Sequence, residues 1–346
     1  MVPRVEYART SDGVTLAFTV NGTGGTLVLL PTLPFNNFLD EWQVPPLRMA
    51  YERLAAHFRV VQYDGRGTGH SQRDVSELTF GSMLADLDAV LAQVHASGAG
   101  MVGLFNSCAI ALAAAASMPE RVARLALFGG TERGWSAMRN TETQALLSLI
   151  EKDWELFTET AAHSWMGWSS GDAARAAARA FRAGVTPIVA RATLQATSAV
   201  DVNDQLPQVS QPTLVLHKPG LTQVDVADAR ALAAALPDGR FQQLPGESAA
   251  LFMDRGEAAT EALVRFFGGT EMADLAAPTD SSGGLLTRRE QEVLRLLASG
   301  SSNGQIGAEL GISVHTVERH VANLYRKIDA RGRADATAWA IRHGLG

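Results

Sequence analysis

Short apolar runs alternate with stretches of helically spaced apolar positions along the first 267 residues. The runs Val14–Val20, Thr26–Leu30, Arg59–Tyr63, Met101–Leu104, Leu125–Phe128, Thr213–His217 and Phe241–Leu244 have the length and residue types of strands. Between them, Leu84–Val94, Ala109–Ser117, Val226–Leu236 and Glu257–Phe267 predict helices. Regular alternation of the two predicts an α/β domain, with a mostly parallel sheet covered by helices on both faces. The pattern breaks twice. From about 131 to 206 it turns helical and aromatic, with no strand-like run. From 268 to 284, GGTEMADLAAPTDSSGG has no period and is rich in glycine, serine, threonine and proline, so it predicts a flexible linker. The chain therefore divides into a body, 1–267, a linker, 268–284, and an all-α tail, 285–346.

In the tail, Thr287 with Glu290 forms a capping-box pattern, so a helix starts there and carries Val293, Leu294 and Leu297 on one face. Ser302 with Gln305 repeats the signal for a short second helix that turns Ile306 and Leu310 inward. Gly311 suits the end of that helix, and Ser313 caps a third, whose buried face is Val317, Val321, Leu324 and Ile328. The words T-x-R-E-x-E-V-L (Thr287 to Leu294) and G-I-S-x-x-T-V-x-x-H (Gly311 to His320), with Asn323, Lys327, Arg333 and Ala334, resemble the LuxR-type helix-turn-helix over nearly its whole length. The resemblance implies double-stranded operator DNA as partner and a homodimer on paired half-sites. Reading the third helix's outer face against a major groove selects His315, Thr316, Glu318, Arg319, Ala322 and Arg326, and the resemblance adds Asn323 and Lys327. Arg319 suits a base edge or phosphate, Arg326 and Lys327 suit phosphate, and Ala322 suits a thymine methyl. Glu318 either accepts from a cytosine amino group or pairs with a nearby arginine within the helix.

Charge separates the same segments. From Leu286 onward there are nine Lys and Arg against six Asp and Glu, a net +3; the remainder holds 21 against 30, a net −9, which together make the chain's −6. A basic tail on an acidic body is the footprint of a phosphate-binding module on a carrier. At 346 residues and 46% hydrophobic, the chain is long and apolar enough for two domains. The N-terminus has no apolar run, and the longest uncharged small-residue stretch, Ala109–Met118, is too short for a bilayer, so a cytoplasmic protein without membrane association is expected. Cys108 is the single cysteine, which excludes an intrachain disulfide; no metal or cofactor is implied.

The body carries Y-D-G-R-G-T-G-H-S (Tyr63 to Ser71), P-E-R-V (Pro119 to Val122), Q-P-T-L-V-L-H (Gln211 to His217) and L-P-G (Leu244 to Gly246). These resemble the α/β-hydrolase family over essentially the whole domain, and the resemblance makes 131–206 the helical cap over the pocket. Its chemistry is missing from the places where the family keeps it. The nucleophile elbow, G-x-S-x-G, aligns with Gly103-Leu104-Phe105-Asn106-Ser107, which puts Phe105 in the nucleophile's place. After the strand ending at His217, Leu221 stands nearest the acid's place. After L-P-G, Ala249 stands near the histidine's, and no histidine occurs from Lys218 to Val314. Ser107 as a displaced nucleophile, Cys108 as a thiolate and Asp225 as a substitute acid are weaker readings. Asp225 suits the cap of the helix at Val226, and His217 suits a core histidine.

Losing all three groups together predicts a pseudo-hydrolase, whose apolar cavity binds a small, mainly apolar molecule without turning it over. Its expected walls are Leu33, Phe35, Phe105, Leu221 and Ala249, with Trp135, Trp165 and Trp168 from the cap. The chain then reads as a ligand-controlled transcriptional regulator. Two alternatives stay open: an active hydrolase fused to a DNA-binding module, and a ligand-free regulator whose collapsed body is a dimerisation scaffold.

Overall fold

The computed structural model describes residues 3–131, 141–166, 171–221, 223–246, 248–268 and 288–310; beyond these it describes Val314, Val317, His320, Val321, Leu324, Tyr325, Ile328, Ala330 and 332–342. The chain forms two compact units, Met1–Ala277 and Pro278–Gly346.

Among the described residues, eight strands build the body: β1 (Glu6–Arg9), β2 (Thr15–Asn21), β3 (Thr26–Leu29), β4 (Arg59–Tyr63), β5 (Ala99–Leu104), β6 (Val122–Phe128), β7 (Thr213–His217) and β8 (Gly239–Gln243). They form one sheet in the order β1-β2-β4-β3-β5-β6-β7-β8. The pairs β1–β2 and β2–β4 are antiparallel. All other neighbours are parallel. Central strands covered on both faces read as unbroken apolar runs, as in β7, where every residue is buried. Strand β1 escapes the sequence pattern because only Ala8 of its four residues is buried. It is an edge strand, and charged Glu6 and Arg9 blunt that edge.

Helices α1 (Phe38–Glu41) and α2 (Pro45–Ala55) follow β3; α3 (Phe80–Gln93) and α4 (Ser107–Ser117) follow β4 and β5. Helix α3 starts four residues before the expected Leu84, because Thr79 and Ser82 exchange capping bonds there. Helix α4 is buried from Ser107 to Ala115, so it has no polar side, and its alanines suit a helix enclosed all round. The cap, between β6 and β7, consists of α5 (Thr141–Leu147), α6 (Leu149–Lys152), α7 (Trp154–Met166), α8 (Gly171–Gly184) and α9 (Pro187–Ser198). Helices α10 (Val226–Ala235) and α11 (Gly256–Phe267) complete the covering layers, with Asp225 accepting from Ala227 N as the cap of α10. One apolar core joins the sheet to α3 and α4 through Leu87, Leu91, Ile110 and Leu112. A second joins it to α2 and α11 through Leu54, Phe58, Leu263 and Phe267.

The glycine-rich motif after β4 is structural. Arg66, 2% exposed, donates to Asp86 at 2.7 and 2.9 Å and to Asp12 at 2.8 Å. Asp64 accepts from Asn36 Nδ2 and from the backbone N–H groups of Phe38 and His70, which pins the loop after β3 to the end of β4.

In the tail, helices span Arg288–Ala298, Asn303–Leu310 and Arg333–Arg342, and the described residues from Val314 to Ile328 are helical. Val293, Leu294, Leu297, Ile306, Val317, Leu324, Ile328, Ala336 and Ala340 form the core. The second capping box is present: Ser302 N donates to Gln305 Oε1 at 2.8 Å, and Gln305 N to Ser302 Oγ at 3.3 Å. Arg333 ties the last helix to the end of the first through the carbonyls of Leu297 and Ser301, at 3.0 and 2.6 Å. The Thr287 cap, Gly311, Ser313 and the linker from 269 onward lie outside the described residues. Among the described residues no helix is long and apolar enough to cross a membrane.

Candidate functional site

The chain turns sharply at Phe105 between β5 and α4, where the nucleophile elbow was expected. Phe105 has φ of 51°, the left-handed region that costs a side chain roughly 1–2 kcal/mol. The turn is held by Phe105 N donating to Phe128 O at 2.8 Å and Cys108 N donating to Phe105 O at 3.0 Å. The ring lies over Gly129, where any Cβ would come within 2.7 Å of it, and edge-on to Phe128 with centroids 5.8 Å apart. Both substitute nucleophiles are committed elsewhere. Ser107 is fully buried, and its Oγ both accepts from Leu104 N and donates to Leu104 O, each at 2.9 Å. Cys108 is buried against Phe128 O, and burial pushes its thiol up to about 12, far from the thiolate a nucleophile needs.

A lysine joins the two loops on which the acid and the histidine were expected. Lys218 directly follows β7, is fully buried, and donates from Nζ to the carbonyls of Ala250, Leu251 and Asp254 at 3.1, 2.9 and 2.6 Å. All three ammonium protons are used, so the segment 249–254 is strapped to the end of β7. Leu221 is buried in the same apolar cluster as Phe105, Ala249 and Phe252. His217 is a core histidine with Nε2 3.0 Å from Val224 O.

Above the elbow lies a cavity of about 170 Å³. Its apolar wall includes Phe35, Leu104, Phe105, Ala177, Phe181, Ala249 and Phe252. Phe35 stacks on Phe181 of α8, with centroids 4.5 Å apart. Thus three expected ligand residues, Phe35, Phe105 and Ala249, meet at one cavity. Leu33 lines a smaller neighbour of about 60 Å³, which shares Phe35 and Phe105 as walls. Trp135 and Trp168 lie outside the described residues, as does the side chain of Trp165.

Sequence reasoning missed the polar end of this cavity. Helix α1 brings Asp40 and Glu41 to it and α2 brings Tyr51, whose hydroxyl donates to Glu41 Oε2 at 2.6 Å. Neither short helix was expected, and a Glu and a Tyr ten residues apart give no periodic signal. Burial raises the Glu41 carboxyl to about 7; Asp64 and Asp40 add to the rise, and the Tyr51 bond opposes it. Its folded-state pKa thus lies above the ordinary 4.5, so the folded protein keeps a proton that the unfolded chain releases between those values. Stability from this group is fully present below about pH 4.5 and is lost as pH rises through about 7. The melting temperature of the wild type relative to Glu41→Gln is expected to fall across that window. A difference that stays constant with pH would refute the assignment.

The eight residues read as the DNA-contacting face, His315, Thr316, Glu318, Arg319, Ala322, Asn323, Arg326 and Lys327, lie outside the described residues. Their described neighbours Val317, Leu324 and Ile328 are buried, as that reading requires of the inner face, while Val321 is only partly so.

The family described as bacterial regulatory proteins, luxR family, matches residues 284–340. The transcriptional regulatory protein LiaR of Bacillus subtilis is 43% identical over 60 residues, 17% of this chain and 28% of LiaR. The CsgBAC operon transcriptional regulatory protein of Escherichia coli is 46% identical over 56 residues, 16% of this chain and 26% of that protein. The chain thus spans about a quarter of the length of the curated relatives it matches. The body is similar to a bromoperoxidase from Bacillus anthracis, with a TM-score of 0.65, 19% identity and coverage of 77% of this chain and 100% of the other. It is also similar to the enol-lactonase from Burkholderia xenovorans LB400, with a TM-score of 0.65, 21% identity and coverage of 76% and 100%. The tail is a LuxR-type helix-turn-helix domain, and the body has the α/β-hydrolase fold.

Proposed function

We propose that the chain is a DNA-binding transcriptional regulator, acting as a homodimer on double-stranded operator DNA, whose body binds a small, mainly apolar molecule instead of hydrolysing one. The observation that carries this reading is Phe105, held at the elbow's left-handed φ of 51° with its ring on a 170 Å³ cavity. An elbow that retains its backbone strain while presenting an apolar ring has lost its nucleophile but kept its pocket. The open cavity favours the sensor over the collapsed scaffold. The commitment of Ser107 and Cys108 to backbone carbonyls weighs against residual hydrolysis.

Binding beneath the cap would select among arrangements of its helices, and a dimer would pass that choice to two DNA-binding tails. Linkage then demands reciprocity: if ligand changes operator affinity by some factor, operator changes ligand affinity by the same factor. The full-length protein is expected to leave a generic aryl ester unhydrolysed. Turnover that disappears in Ser107→Ala or Cys108→Ala would overturn the non-catalytic reading. A bound ligand whose affinity is the same with and without operator would remove the cavity from regulation.

A further inference from the structure

The cavity has a chemical polarity that narrows what it takes. Its charged lining groups among the described residues are Asp40 and Glu41, and no lysine, arginine or histidine lines it. The Tyr51 hydroxyl uses its one proton on Glu41 Oε2, which leaves Oε1 of that carboxyl without a protein partner among the described residues. Asp40 accepts from Asn37 Nδ2 at 2.8 Å, so one of its oxygens is engaged while its charge remains uncompensated. The lining also includes the apolar Phe105, Phe181 and Ala249. A cavity of about 150 Å³ on a comparable measure accommodates a benzene ring, which sets the scale of the occupant.

We propose, building on the sensor reading above, that the ligand is a small apolar amine, bound with its hydrocarbon body against Phe105 and Phe181 and its ammonium on Glu41. A cation is the complement of paired carboxylates in an apolar enclosure, and each ammonium proton finds an acceptor in the free carboxylate oxygen or the Asp40 carboxylate. A carboxylate ligand of the same size meets two like charges with no cation to offset them. A neutral alcohol gains one hydrogen bond and no charge pairing. Among the described residues, the groups facing Glu41 are Tyr51, Asp40 and Asp64, none of them cationic, so a bound amine supplies a positive charge that these groups lack.

The test is titration calorimetry on the full chain at pH 7.5 with three probes of matched size: 2-phenylethylamine, 2-phenylethanol and phenylacetate. The amine is expected to bind at least tenfold more tightly than the alcohol, and phenylacetate more weakly than either. Glu41→Gln is expected to bring amine and alcohol within threefold of each other, and a cooperative melt establishes that the variant is folded. Tyr51→Phe, which keeps the carboxylate and frees its second oxygen, is expected to retain the amine preference. Phenylacetate or phenylethanol binding as tightly as the amine, or an amine preference that survives in Glu41→Gln, overturns the amine assignment and leaves the sensor reading standing. If none of the three binds at millimolar concentration, the amine assignment is overturned, and the sensor reading stands or falls by the operator-linkage test above.

Discussion

Arg66→Met is expected to destabilise the body by about 3–5 kcal/mol, because it strands a carboxylate that has no access to water. Asp86 is 2% exposed and takes two of its charge-assisted bonds from this guanidinium. Burial already pushes the Asp86 carboxyl upward, and the arginine is what opposes that rise. In a domain of this size the loss corresponds to a fall in melting temperature of roughly 10 °C. Asp12, half outside in solvent, is held down to about 2 by Arg66 and Thr10, and contributes far less. The double variant Arg66→Met, Asp86→Leu is expected to recover a large part of the loss, since the buried charge disappears with its partner. Chemical denaturation of the three proteins checks this. Equal stability of wild type and Arg66→Met would show that the pair is not holding the loop after β4.

Arg319→Ala is expected to weaken operator binding by roughly tenfold or more, in line with about 1–3 kcal/mol for a base-contacting arginine. If Arg319 contacts phosphate instead, the loss is uniform over sequences and the salt dependence of binding becomes shallower by about one ion. Glu318→Gln separates the two readings of its neighbour: a base contact changes which operator variants are preferred, while an intrahelical pair changes none. Fluorescence anisotropy on the native operator and on single-base variants, at two salt concentrations, distinguishes these outcomes. Wild-type affinity in Arg319→Ala would refute the placement of that residue on the DNA face.

Strongly periodic elements were legible in the sequence. Strands β3 to β7 announced themselves as apolar runs because parallel strands under two helical layers have no polar face to show. The capping pair Ser302 and Gln305 was readable because its two bonds span three residues of chain. Strand β1 was not, since an edge strand with one buried residue in four carries almost no pattern. The boundaries of α3 moved because Thr79–Ser82 is a weaker written signal than Thr–Glu, although its geometry is the same.

The sequence by itself determined which residues stand at the motifs of the body. Residue identity at an aligned motif is a local property, so the expectation of Phe105, Leu221 and Ala249 at the places of the reactive groups could be drawn without coordinates. What those residues contact was decided only by tertiary structure. The carbonyls that Ser107 and Cys108 meet belong to Leu104 just before the turn and to Phe128 on the neighbouring strand. The Lys218 strap joins residues more than thirty positions apart, and its three acceptors are backbone atoms, which no side-chain pattern encodes. The acid at Glu41 becomes a group that titrates near neutral pH because packing of α1 against α2 buries it beside Tyr51 and near Asp64. Burial and proximity across distant segments are properties of the packed chain, and they bring two carboxylates to a largely apolar cavity.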